Sequence, residues 1–294
     1  MASTATARGG TLGAWIQASR PLAQANLAGP LLLGQALAYR ITGRFDLRVL
    51  ALVAVWGVLD QLFILWANDV ADREHDGAER TLFSGGSGVL VEGKLTPGAL
   101  RRGALAAYGL LGGLSFALAL GRSAWLVPLW LAAGALVHAY SYPPLRLSYR
   151  GYGEHLQALG VGVVLPLVGY AAQAGELGSL PKGFLVATYL LGWAGNVATA
   201  LPDHAADARA KKRTWPVRFS PGPAGRYGLL LTALACGVVV LATGRPAFGL
   251  GLAPLVPAAF LDTGTRRGAL TYVVLQGLAA QGLVLAWAAW LAFG

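Results

Sequence analysis

Asn68-Asp-Val-Ala-Asp72-Arg-Glu-His-Asp76 closes an apolar run that begins near residue 49. Asn68, Asp72 and Asp76 are spaced four residues apart, so on a helix they share one face. The chain has only 13 acidic residues, and five of them fall within eleven residues of this region. Charge at the edge of a hydrocarbon layer is costly. The stretch therefore predicts a functional site at the end of a membrane-spanning helix.

The composition of the chain supports a membrane location. Hydrophobic residues make up 55% of the sequence and charged residues 12%, whereas soluble domains carry about 25% charged residues. We therefore predict an all-α polytopic membrane protein. The single cysteine, Cys236, lies in an apolar run, which excludes a disulfide framework and a cysteine metal site.

Apolar windows long enough to span a bilayer as a helix, about 20 residues, occur throughout the chain. Nine such windows lie near residues 21–39, 49–68, 103–120, 124–142, 155–174, 183–202, 227–244, 246–262 and 270–292. The window at 246–262 is the weakest because Pro254 and Pro257 interrupt it. Residues 1–12 are predicted to be a flexible tail, and residues 13–294 a single transmembrane domain.

The net charge of +10 is spread over short segments between the apolar windows. If the N-terminus is inside, 17 of the 23 Lys and Arg residues lie in inner segments and six in outer ones. This distribution follows the positive-inside rule and gives no reason to expect a nucleic-acid partner. It predicts that the Asn68–Asp76 stretch faces the cytoplasm and that the C-terminus lies outside.

A second acidic pair, Asp203-His-Ala-Ala-Asp207, closes the window at 183–202 and is followed by four cations within five residues, 209–213. Carboxylate and amide oxygens are ligands that suit Mg²⁺, and cations such as Lys212 can offset the charge of a phosphate. Asn196 lies two helical turns before Asp203. The candidate metal ligands are therefore Asn68, Asp72, Asp76, Asp203 and Asp207. The alternative is that each acidic pair is a solvated helix end paired with nearby arginines; two pairs on one predicted side of the membrane favour a joint site.

The segment Tyr140–Glu154 contains four tyrosines and two arginines between two apolar windows. We predict that Arg146 contacts phosphate and that Tyr140 or Tyr142 lies near a developing carbocation. Tyr149 and Tyr152 are interpreted as an interfacial aromatic belt.

One further acidic residue lies within an apolar window. Asp60 is eight residues before Asn68, on the same helix face. It either contacts the pocket or hydrogen-bonds a neighbouring helix, and the second interpretation is favoured.

These residues resemble a known family. The Asn68–Asp76 stretch, Asp203–Asp207 and Lys212-Arg-Thr214 are similar to the two aspartate-rich motifs of the UbiA superfamily of intramembrane prenyltransferases, and the likeness covers almost the whole chain. Arg20-Pro21 at the first span and Tyr142-Pro-Pro-Leu-Arg146 through Glu154 are also similar. Within the superfamily, the sequence most resembles the 1,4-dihydroxy-2-naphthoate prenyltransferases.

The resemblance implies about nine helices around a central apolar cavity, with both motifs at its cytoplasmic mouth in a bacterial cell membrane. It implies Mg²⁺ as cofactor and, as substrates, a prenyl diphosphate and a small aromatic or isoprenoid molecule. The implied catalytic residues are Asp72, Asp76, Asp203, Asp207, Tyr140 and Tyr142. The implied diphosphate-binding residues are Asn68, Arg80, Arg146, Asn196 and Lys212. The sequence departs from the family pattern at Thr199, Pro202 and Lys211.

Two other functions are alternatives to aromatic prenyl transfer. A terpene cyclase of the same superfamily would ionise the same diphosphate and close the chain on itself, and fold-level resemblance does not separate the two reactions. A transporter would place acidic residues at bilayer mid-depth, whereas both acidic pairs here lie at the ends of spans.

Overall fold

The computed structural model describes residues 11–21, 25–73 and 86–294, and within these ranges it contains helices and no strand. The helices are α1 (Leu12–Ser19), α2 (Ala25–Thr42), α3 (Leu47–Asp72), α4 (Pro97–Gly121), α5 (Leu126–Ser141), α6 (Gly153–Leu159), α7 (Leu165–Ala174), α8 (Lys182–Ala200), α9 (His204–Arg209), α10 (Trp215–Phe219), α11 (Pro221–Thr243), α12 (Leu255–Ala258) and α13 (Arg266–Phe293). A π-helical turn, Gly160–Val164, joins α6 to α7, and 3-10 segments occur at Leu147–Arg150 and Pro246–Leu252. The predicted all-α fold is confirmed.

Five helical segments of the described chain are long and apolar enough to cross a membrane: α3, α4, the continuous α6–α7 segment, α11 and α13. The shorter α5 is also apolar. The predicted count of nine spans is not confirmed. In the window at 246–262, where Pro254 and Pro257 lack the backbone N–H that a helix requires, only a 3-10 segment and one α-helical turn form.

The two ends of α3 contact different sets of chain segments. At its start, the backbone N–H of Asp46 donates to Gln173 Oε1 at 3.0 Å, and the Asp46 carboxylate pairs with Arg122. At its end, Asn68 contacts Ser141, the last residue of α5, and Asp72 contacts Lys212, which follows α9. The ends of α4 and α7 therefore gather at one end of the bundle, and the two sequence motifs at the other.

Glycines allow the backbones of α2 and α7 to meet. A Cβ atom built on Gly34 would lie 2.1 Å from the carbonyl oxygen of Pro166, and one built on Gly169 would lie 2.2 Å from that of Leu31. Because lipid provides no hydrophobic drive for helix association, such close approach supplies the packing contacts.

Polar pairs lie inside the bundle, and large apolar side chains cover its outside. Gln276 donates to Thr232, and both residues are fully buried, whereas Leu110 and Leu120 of α4 are 63% and 92% exposed. This distribution is typical of a protein whose outer surface contacts lipid.

Candidate active site

The first motif lies at the C-terminal end of α3, where it contacts two other segments. Ser141 donates to Asn68 Oδ1 at 2.7 Å. The carboxylate of Asp72 accepts hydrogen bonds from the Tyr149 hydroxyl at 3.1 Å and from Lys212 Nζ at 2.8 Å. The other two predicted residues of this region, Asp76 and Arg80, lie outside the described residues.

Asp69, which sits between the two described motif residues, serves a different purpose. It is 4% exposed, pairs with Arg20 at 3.0 Å and accepts hydrogen bonds from the backbone and the hydroxyl of Ser87. Arg20 has a left-handed backbone at the end of α1. Asp69 therefore ties the N-terminal helix and the segment beginning at residue 86 to the end of α3.

The second motif forms a compact turn around α9. Asp203 lies at the N-cap position of this helix, and the Asp207 carboxylate accepts a hydrogen bond from Thr214 at 3.2 Å. The backbone N–H of Lys212 donates a hydrogen bond to the Asp207 carbonyl at 2.8 Å. Burial raises the pKa of Asp207 to about 6, with Lys212 opposing the shift and Asp203 adding to it.

Lys212 connects the two motifs. The side chains of Lys212 and Asp72 are 17% and 14% exposed. The two residues are 140 positions apart in sequence. Burial, the largest single effect, would lower the pKa of Lys212, but Asp72, Tyr140 and Asp207 together outweigh it and hold that pKa above its usual value. The structure thus brings Asp72, Asp207 and Lys212 together, and the roles assigned to them stay predictions.

The two candidate cation-stabilising tyrosines differ in their surroundings. Tyr140 interacts electrostatically with Lys212, Asp72 and Asp207, which places it beside both motifs. The Tyr142 hydroxyl instead donates to the Ala67 carbonyl at 2.8 Å. Tyr142 therefore anchors the end of α5 to α3 through its hydroxyl.

Tyr149 is a site residue that the sequence interpretation missed. Its hydroxyl donates to Asp72, and its ring centroid lies 3.8 Å from the Arg146 guanidinium and 5.4 Å from Lys212 Nζ. Burial, together with the Asp72 charge, raises the pKa of Tyr149 to about 12, so the hydroxyl stays a donor. The interfacial-belt interpretation is wrong for Tyr149, whereas Tyr152 is 57% exposed, as that interpretation requires.

The side-chain amide nitrogen of Asn196 contacts its own helix and neither of the two motifs. Its Nδ2 atom donates to the Gly192 carbonyl of its own helix at 2.7 Å, and Thr199 donates to the Asn196 carbonyl at 3.2 Å. The role predicted for Asn196 stays a prediction.

Glu154, to which the sequence pattern assigns no role, lies beside the second motif. It is 2% exposed, and its Oε1 atom accepts a hydrogen bond from the backbone N–H of Trp215 at 2.7 Å, while Oε2 is buried without a partner. Since Trp215 follows Lys212-Arg-Thr214 directly, Glu154 fastens this segment to the start of α6.

Asp60 lies deeper in the bundle than either motif. It is 3% exposed, and its Oδ1 atom is buried without a hydrogen-bond partner. The hydrogen bond that we expected from a neighbouring helix is therefore not found at this atom.

A cavity of about 230 Å³ adjoins the second motif. It is lined by residues 201–206, 263–266 and Ala269. Asp203 therefore faces the segment that leads into α13, whereas Asp207 of the same motif faces Lys212.

Comparison with known proteins identifies the fold and its family. Residues 27–270 match the UbiA prenyltransferase family. The chain belongs to the UbiA prenyltransferase family. The family resemblance that was predicted from the two motifs is thereby confirmed.

Two relatives of this UbiA-family chain bear names that specify aromatic acceptors. The 4-hydroxybenzoate octaprenyltransferase of Pseudomonas syringae pv. syringae (strain B728a) is 33% identical over 186 residues, which cover 63% of this chain and 57% of that protein. The 1,4-dihydroxy-2-naphthoate octaprenyltransferase of Bacillus subtilis (strain 168) is 24% identical over 213 residues, covering 71% and 66%. The chain thus spans a little over half the length of the first relative.

Solved structures share the fold of this UbiA-family chain. A UbiA homolog from Archaeoglobus fulgidus bound to GPP and Mg²⁺ superposes with a TM-score of 0.69 over 95% of this chain and 99% of that one, at 18% identity. An apo UbiA homolog from Aeropyrum pernix K1 gives a TM-score of 0.65 over 88% and 97%, at 16% identity.

The donor set suits a hard divalent cation. The described motif residues offer the amide of Asn68 and the carboxylates of Asp72, Asp203 and Asp207, all oxygen ligands of the kind that Mg²⁺ takes. Among the described residues, no three His, Cys, Asp or Glu side chains form a ready-made metal cluster. The described part of the site is therefore compatible with a cation shared between protein carboxylates and a substrate phosphate.

Proposed function

We propose that this UbiA-family protein transfers an isoprenyl group from a prenyl diphosphate to an aromatic quinone-precursor acceptor, with Mg²⁺ as cofactor, within the membrane. The observation that carries the proposal is the contact of Lys212 with Asp72 at 2.8 Å, which joins two motifs 140 residues apart. The aromatic acceptors in the names of both relatives support it.

The acidic residues of both motifs would hold the cation. Its ligands would come from Asn68, Asp72, Asp76, Asp203 and Asp207. Mg²⁺ bound there would draw charge from the diphosphate and make it a better leaving group. Arg80, Arg146 and Lys212 would hold the non-bridging oxygens, because guanidinium and ammonium groups form strong charge-assisted hydrogen bonds with phosphate.

The reaction then breaks the allylic C–O bond, and both electrons of that bond leave with the diphosphate. A ring carbon of the acceptor would then form a bond to the allylic carbon, and the proton that the ring loses would pass to the released diphosphate. The ring of Tyr140 would stabilise the developing cation, and the electrostatic interactions of Tyr140 with Asp72, Asp207 and Lys212 support this role. An apolar cavity around the prenyl chain would exclude water that could otherwise capture this cation.

Incubation of the purified protein in detergent with geranylgeranyl diphosphate tests this proposal. The reaction is run with Mg²⁺ or EDTA, and with 1,4-dihydroxy-2-naphthoate, 4-hydroxybenzoate or no acceptor, and products are identified by mass spectrometry. We expect a prenylated aromatic product that needs both acceptor and Mg²⁺. A terpene formed without acceptor would instead identify a cyclase, and intact diphosphate in every reaction would contradict the proposal.

Asparagine substitutions at the two motifs test the site within the same assay. Asp72→Asn and Asp207→Asn should each lower turnover by at least about 100-fold, because each removes a charge that the cation–diphosphate complex requires. Glu176→Gln, an equal loss of charge on an exposed residue between α7 and α8, is the matched control. Full activity in either aspartate variant would rule out the assigned role of that residue.

A further inference from the structure

Both oxygens of the Asp72 carboxylate are engaged by the protein itself. Oδ1 accepts the Tyr149 hydroxyl at 3.1 Å, and Oδ2 accepts the Lys212 ammonium at 2.8 Å. Asp72 and Lys212 are largely buried, with side chains 14% and 17% exposed. This ion pair therefore neutralises a charge that would be costly to leave unpaired at such a depth.

A divalent cation on Asp72 must compete with this pair. A cation such as Mg²⁺ binds carboxylate oxygens directly, at about 2.0–2.1 Å. An ammonium held on the same oxygen repels the cation and occupies one of the lone pairs of the carboxylate. Metal binding at Asp72 is therefore weakened for as long as Lys212 stays in its present position.

The surroundings of Lys212 allow its side chain to move while its backbone stays. The backbone N–H of Lys212 is fixed to the Asp207 carbonyl at 2.8 Å, and the flexible four-carbon stem carries the charge. The Tyr149 ring, whose centroid lies 5.4 Å from Lys212 Nζ and 3.8 Å from the Arg146 guanidinium, attracts cations to its face. A displaced ammonium thus stays beside Arg146.

We propose that Lys212 is an exchangeable counter-ion: it pairs with Asp72 until a divalent cation takes that carboxylate, and then pairs with the diphosphate that arrives with the cation. This inference rests on the proposed function, because it needs a cation–diphosphate complex as ligand. It adds that the cation alone binds weakly, since Lys212 opposes it, and that the cation and the diphosphate bind cooperatively.

Lys212→Gln separates the two halves of the exchange. Binding of Mn²⁺ alone is measured by the EPR signal of the free ion, and binding of geranyl diphosphate in the presence of Mg²⁺ by calorimetry. Removing the competing ammonium should tighten Mn²⁺ binding at least about fivefold, whereas losing the phosphate partner should weaken geranyl diphosphate binding about tenfold. A residue that only supports the fold would weaken both.

Lys211→Gln is the matched control, because it removes the same charge from the neighbouring exposed residue; neither affinity should change appreciably. Tyr149→Phe is a second variant that removes one hydrogen bond to Asp72 and keeps the ring. It should tighten Mn²⁺ binding less than Lys212→Gln does, because Lys212 remains.

The results distinguish this inference from the proposed function. Mn²⁺ binding that is unchanged or weaker in Lys212→Gln, with geranyl diphosphate still bound by the wild-type protein, would overturn the exchange alone. A wild-type protein that binds Mn²⁺ but no geranyl diphosphate would contradict the proposed function itself.

Discussion

At the scale of single residues, Asp207 combines burial with a charge that the proposed reaction needs. Its pKa is raised from 3.8 to about 6, so the folded protein holds the proton more tightly than the unfolded chain. The energetic cost of the ionised form is therefore fully present above pH 6 and declines as the pH falls toward 4. Asp207→Asn should remove this cost, about 3 kcal/mol from the size of the shift.

The measurement is thermal unfolding of both proteins in detergent at several pH values. The variant should have a Tm several degrees above that of the wild type at pH 8 and a smaller advantage at pH 4.5. An advantage that does not depend on pH would show that ionisation of Asp207 is not its cause. The gain in stability would accompany the loss of activity predicted above, as is common at functional sites.

The sequence predicts site residues well where they share one helix and poorly where they meet across the chain. The four-residue spacing of Asn68 and Asp72 is a property of a helix, and the structure keeps it. The contact of Tyr149 with Asp72 arises in a 3-10 segment of four residues, which is too short to show a hydrophobic period. Likewise, nothing in the motif distinguishes Asp69, which turns toward Arg20.

At the scale of secondary structure elements, α2 and α7 can pack closely because Gly34 and Gly169 have no side chains. Gly34→Ala should destabilise the protein by about 2 kcal/mol or more, because the new Cβ would lie 2.1 Å from the Pro166 carbonyl and force the helices apart. Gly109→Ala is the matched control, since a Cβ atom there meets nothing within 4 Å. The readouts are the yield of monodisperse protein and its Tm; equal values for both variants would contradict this account of the packing.

Hydrophobic windows located the long helices but not their irregularities. The window at 49–68 corresponds to α3 and the window at 270–292 to α13. The π-helical turn at Gly160–Val164 has no counterpart in the windows. A Cβ atom on Gly162 of this turn would lie 2.4 Å from the Thr188 carbonyl. The π-helical turn therefore lies where the backbone packs closely against α8, a tertiary contact that a hydrophobic window does not detect.

At the scale of the whole molecule, contacts at the two ends of α13 trace the path of the segment between α11 and α13. Near the C-terminal end of α13, Trp290 contacts Phe248 and Arg40. At the N-terminal end, residues 263–266 share a cavity with residues 201–206. The chain therefore runs from one end of the bundle to the other between Phe248 and residue 263, although this stretch forms no long helix.

Labelling of introduced cysteines tests the membrane orientation. The positive-inside count places Arg213 in the cytoplasm and Arg245 outside, and both residues are exposed. The native Cys236 is 2% exposed, so it should give little background. In right-side-out vesicles, a membrane-impermeant maleimide should label Arg245→Cys at once and Arg213→Cys only after the bilayer is permeabilised. The reverse order would place the two motifs on the outer face, where a cytoplasmic pool of prenyl diphosphate cannot reach them directly.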